Sequence, residues 1–172
     1  PVPGRSFREL NLCTLIPGAM QELITTITSA IDASEQLQQP VGVLMPPSIC
    51  HGGGLIPVGP NREPHDAQGM LARARREPLS GATAGTASEV FAAMELDRLE
   101  HIPTVGEMAD VGLVAAGESV SSLRMVLDQE GRRHRVPLLA LRSLLPINEP
   151  AVERILERCR RVLVFEPGGS GL

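Results

Sequence analysis

The sequence predicts an α/β fold built on parallel sheet, and three observations carry that prediction. Three short, mostly apolar runs at residues 110–116, 136–141 and 162–165 alternate with two amphipathic helical stretches. Strands covered on both faces read as such runs. An earlier strand–helix–strand stretch repeats the alternation, which is the pattern of sheets flanked by helices. The core must also be aliphatic: 42% of the 172 residues are hydrophobic, yet there is no Trp, no Tyr and only three Phe.

In the first segment, residues 10–16 (LNLCTLI) read as a strand that Pro17-Gly18 breaks. From 19 to 38 the apolar positions Met20, Leu23, Ile24, Ile27, Ala30, Ile31 and Leu37 mostly share one helical stripe. Thr25, Thr26 and Thr28 lower its intrinsic propensity, so packing must hold this helix. Pro40 ends it, residues 41–45 (VGVLM) form the next strand, and Pro46-Pro47 stops that strand. Two strands joined by a helix make a βαβ unit whose parallel strands cross over right-handedly.

Residues 48–104 are mostly punctuation: His51 and three glycines, then Pro57, Pro60, Pro64 and Pro78, then a small-residue run over 80–88. Arg73, Arg75 and Arg76 form a short basic cluster, read as a solvated surface. One helix is expected over 89–99, with Val90, Phe91, Met94 and Leu99 inward. The last segment is regular. Residues 110–116 form a strand, and Gly117-Glu118-Ser119 turns it into a helix that runs to about Glu130 and is capped by Gly131. Residues 136–141 form the next strand. Asn148 is the expected N-cap of a helix reaching Arg158, and residues 162–165 close the sheet.

Composition then excludes whole classes of function. A stacking nucleic-acid binder needs aromatic faces, and a phosphate-backbone groove needs excess positive charge, whereas this chain carries a formal charge of −4. All 16 basic residues are Arg, which removes a P-loop lysine and a Schiff-base lysine. Cys13, Cys50 and Cys159 show no CxxC spacing, so no self-contained metal or cluster site is expected, and reduced cytoplasmic thiols fit better than disulfides. No apolar run is long enough to span a bilayer, so neither membrane nor nucleic acid is an expected partner. The chain opens without Met and stops just after its last strand, so it is expected to be a piece of something longer.

Three groups are candidates for chemistry. The Gly117–Ser122 turn offers free backbone N–H groups that suit an anion, against a plain strand–helix turn with capping serines; Glu118 in its mouth opposes the anion. Cys50 beside His51 suggests a nucleophile pair, but neighbours in extended chain point apart. His51 better suits a polar contact at the carboxyl end of a parallel strand, where such sheets place ligands, or no role at all. Arg142 and Glu166 follow two successive parallel strands and form a candidate structural ion pair; no catalytic residue is assigned.

Residues 110–120 (DVGLVAAGESV), the LRSLLP stretch at 141–146 and the RVLVFE stretch at 161–166, followed by Gly168-Gly169-Ser170-Gly171, resemble the carboxy-terminal domain of the transketolase superfamily. The QPV at 39–41, its strand, and Ser48-Ile49-Cys50-His51 with the following glycines are similar to the end of the pyrimidine-type domain in 2-oxoacid:ferredoxin oxidoreductase alpha chains, the indolepyruvate enzymes included. The resemblance covers residues 8–59 and 107–172 and departs from the family at Met45-Pro46-Pro47 and in its long linker. It implies three parts: residues 1–62 as the last βαβ of a pyrimidine-type domain, 63–106 as a linker with short helices, and 107–172 as a transketolase C-terminal-like domain. It also implies thiamine diphosphate, Mg²⁺ and iron–sulfur clusters in the complete enzyme, with ferredoxin as electron partner. The GDG…N motif that holds the diphosphate is not in this sequence, so no cofactor is expected on this chain alone. Its implied role is a wall of the site around His51 and a packing surface toward other domains or subunits in an oligomer. Alternatives are a piece of transketolase, of a pyruvate dehydrogenase E1 beta chain or of a deoxyxylulose-phosphate-synthase-like protein, or a degenerate non-catalytic interaction module.

Overall fold

A computed structural model describes residues 9–55, 59, 86–104 and 106–166. The cluster Arg73, Arg75 and Arg76, most of the 80–88 run and Gly168, Gly169 and Gly171 lie outside the described residues. In chain order the elements are β1 (Cys13–Leu15), a 3-10 turn (Met20–Glu22) running into α1 (Leu23–Leu37), β2 (Val41–Val43), α2 (Pro47–His51) and α3 (Ala87–Ala93). There follow β3 (Arg98–Glu100), β4 (Gly112–Ala116), α4 (Glu118–Gln129), β5 (Leu138–Leu141), β6 (Ser143–Leu145), α5 (Glu149–Arg158) and β7 (Val162–Phe165).

These strands form two sheets. The first has the order β2-β1-β6, with β1 and β2 parallel and β6 antiparallel to β1. The expected βαβ unit is therefore present, in the register Cys13↔Val41. The second has the order β3-β5-β4-β7. Its β5, β4 and β7 are parallel, as the apolar runs predict, and β3 is antiparallel at one edge.

Alternation along β4 and β5 divides the second core into two faces. Val114, Ala116, Leu139 and Leu141 pack on Ala151 and Ile155 of α5. Leu113, Ala115, Leu138 and Ala140 pack on Val120 of α4. In the first sheet, Cys13 and Leu15 pack against Ala30 and Ala33 of α1 and Val90 and Phe91 of α3. Each fully buried Leu or Ile contributes roughly 1.5–3 kcal/mol relative to exposure. The expected caps are found: Gly131 follows α4 at φ +61°, and the Asn148 side chain accepts from the Ala151 N–H at 3.1 Å.

Two expectations change. The helix expected over 89–99 ends at Ala93, because Glu95 turns the chain through φ +48° and residues 98–100 become β3. The strand expected over 136–141 starts at Leu138 and continues beyond Leu141, bending at Arg142 so that β5 lies in one sheet and β6 in the other. Both changes follow from long-range pairing: β3, within the stretch read as linker, hydrogen-bonds to β5, and β6 crosses back to β1. Among the described residues no helix is long and apolar enough to cross a membrane.

Candidate functional site

The sheets meet where β1 and β4 end at their carboxyl sides, each in a glycine turn. A Cβ on Gly18 would stand 3.2 Å from the Gly117 carbonyl oxygen, and the Ser121 hydroxyl donates to the Gly18 carbonyl at 2.8 Å. The Gly18 turn thus packs against the Gly117 turn. No serine side chain caps α4; Ser121 is used across the seam and Ser122 bonds back to Glu118.

Glu22 is the hub of the charges at this seam. The 3-10 turn places its carboxylate where Oε2 accepts from the Gly18 N–H at 3.0 Å, while Oε1 faces the Arg142 guanidinium and lies 4.0 Å from Arg124 Nη1. Arg124, on α4, donates through Nε at 3.1 Å to Glu100 on β3, with its Nη2 on the same oxygen. Asp97 accepts from the Arg142 N–H at 2.6 Å, from the Ser143 N–H at 3.0 Å and from the Ser143 hydroxyl. Three donors on one carboxylate hold the bend between β5 and β6, whose N–H groups have left one ladder and not yet joined the next.

The expected pairing of Arg142 with Glu166 is not formed. In the sheet β4 lies between β5 and β7, which separates the two strand ends by about 10 Å, two strand spacings. Arg142 binds Glu22 instead, and Glu166 is exposed after β7. His51 ends α2 and is exposed, as is Cys50. Sequence reasoning missed Glu22, Asp97, Glu100 and Arg124. The signal available was Glu22's place one turn after Pro17-Gly18, at the first helix start; Asp97 and Glu100 lie in a stretch read as helix and linker.

An open cleft of about 760 Å³ flanks the network, and a second of about 700 Å³ adjoins it. His101 and His134 line both, their rings edge to face at 4.8 Å. Their arginines are partly matched internally, Arg124 by Glu100 and Arg133 by Asp128. His51 lines neither cleft. Burial pushes the Cys13 and Cys159 thiols above their ordinary range, which keeps them protonated and unreactive. Among the described residues no three His, Cys, Asp or Glu side chains converge as a metal set. The arrangement can position the chain at the seam between the two sheets.

No protein-family model matches the chain, and no curated protein matches it. Among solved structures it is similar to 2-oxoglutarate:ferredoxin oxidoreductase from Magnetococcus marinus, with 2-oxoglutarate, coenzyme A and succinyl-CoA bound. The TM-score is 0.54 at 17% identity. The chain shares its fold with a ferredoxin oxidoreductase. The match covers 88% of this chain and 34% of the oxidoreductase chain, so this chain spans about a third of that enzyme's length. The LRSLLP stretch is the segment that bends between the two sheets.

Proposed function

We propose that this chain is part of a thiamine-diphosphate-dependent 2-oxoacid:ferredoxin oxidoreductase, serving subunit assembly and one wall of the site of oxidative decarboxylation. The supporting observation is a shared fold across 88% of the chain, although the charges at its seam are largely matched internally. A seam closed in this way suits a part that orients neighbours rather than one that reacts. In this reading residues 1–62 belong to a pyrimidine-type domain and residues 107–172 to a transketolase C-terminal-like domain. His51, exposed at the end of α2, would face the substrate from the first of these. Thiamine diphosphate, Mg²⁺ and the clusters would be held by other domains or subunits, with ferredoxin bound by the complete assembly.

The test is to express the full gene product with its partner subunits and assay 2-oxoacid-dependent reduction of ferredoxin or a viologen dye. Activity that requires added thiamine diphosphate, with a raised KM for the 2-oxoacid in His51→Ala and unchanged assembly, is the expected result. A complex that reduces neither acceptor with any 2-oxoacid overturns the proposal. An unchanged KM in His51→Ala removes that residue from the wall.

A further inference from the structure

We propose that the outer edge of β7 pairs, antiparallel and about a two-fold axis, with β7 of a second copy of this chain. This does not depend on the oxidoreductase reading. Among the described residues β7 is bonded along its inner edge to β4 and has no strand on its other side. Edge strands that remain free are commonly guarded by an internal charge, a proline or a bulge. β7 has none: its sequence is Val-Leu-Val-Phe, with Leu163 50%, Val164 65% and Phe165 38% exposed.

The exposure lies on both faces of the sheet. The register Leu113↔Leu163 and Ala115↔Phe165 places Leu163 and Phe165 on the α4 face, while Val162 and Val164 share the α5 face with Val114. On α4, Val126 is also exposed, at 49%. It lies about 200° round the helix from Arg124, which reaches toward β3, so Val126 is on the side nearer β7. A lone helix docking on one face would leave the other wet. A strand with its own flanking helices covers both.

The flanking charges select a copy of this chain as that strand. Arg160 and Arg161 precede β7 and Glu166 follows it, so the strand carries opposite charge at its two ends. Parallel pairing would set like charges side by side; antiparallel pairing sets unlike ones. A two-fold axis normal to the sheet keeps each face on its own side, so residues brought opposite one another must point to the same face. The register that meets this condition with Leu163 opposite its own counterpart sets Val162 against Val164, Arg161 against Phe165 and Arg160 against Glu166, each twice. Centring on Val164 instead would set Val162 against Glu166. In the single chain Arg160 lies 3.9 Å from Asp110, both well exposed, and Glu166 has no ion pair among the described residues.

Sedimentation of the full chain over a dilution series is expected to show a dimer. Arg160→Glu or Glu166→Arg alone should weaken its Kd about tenfold, and the two together should restore it. Leu163→Cys should form a disulfide-linked dimer on oxidation. Phe165→Cys, whose counterpart lies four residues along the paired strand, should not. Far-ultraviolet circular dichroism checks that these half-exposed positions leave the fold intact. A monomer at every concentration overturns the proposal, as does a dimer indifferent to both charge reversals. Capture of Leu163→Cys by a different polypeptide in the assembled complex also overturns it.

Discussion

Asp97 shows how one side chain can decide a chain's path. Its carboxylate takes three donors from Arg142 and Ser143, where β5 leaves one sheet and β6 enters the other. Asp97→Ala strands those donors in a half-buried place and should cost about 3 kcal/mol, read as a fall in the urea midpoint. Cys13 and Cys159 make a second residue-scale case. Burial raises both thiol pKa values above 9.0, so near and above that pH the unfolded chain releases protons that the folded chain retains. Their stabilisation is complete below pH 9 and is lost as pH rises through the folded values. With no Lys and no Tyr in the chain, thiols dominate this range. The Tm should therefore decline above pH 9, and the decline should flatten in a Cys13→Ala, Cys159→Ala variant. None of this was legible beforehand, because burial and the partners of Asp97 arise from contacts more than forty residues apart.

Among the elements, α4 and α5 read clearly from sequence because their signals are local. Gly117 leaves β4 at φ +57°, which a β-branched residue resists, and its backbone abuts the Gly18 turn. Gly117→Val should cost about 3 kcal/mol and lower the Tm; an unchanged Tm would mean the turn is not as described. Asn148 caps α5 through the Ala151 N–H, so Asn148→Ala should cost about 1 kcal/mol in chemical denaturation. β3 was misread as helix for an equally physical reason. Val90, Phe91 and Met94 carry helical spacing up to the point where Glu95 adopts φ +48°, and a left-handed non-glycine turn leaves little trace in composition. The candidate site follows the same division: Arg142 was visible in its motif, but its partner was chosen by strand order, which set β4 between it and Glu166.

Among the links that tie the two sheets are the β5–β6 passage, the Arg142–Glu22 pair and the Ser121–Gly18 hydrogen bond. Both sheets should unfold in one transition in the parent protein. Glu22→Gln removes the charge that faces two arginines and should cost about 2 kcal/mol. It should also separate hydrogen-exchange protection of β1 and β2 from that of β4 and β5; continued joint exchange would show that the remaining links couple them without this charge. The parallel sheet, its helices and its aliphatic core were determined by the sequence alone, since apolar periodicity, glycine and proline breaks and capping residues act within a few positions. Which sheet β3 and β6 joined, which acid met Arg142 and which edge of β7 stayed unpaired among the described residues were decided by tertiary structure, because strand order and burial belong to contacts that no local pattern encodes.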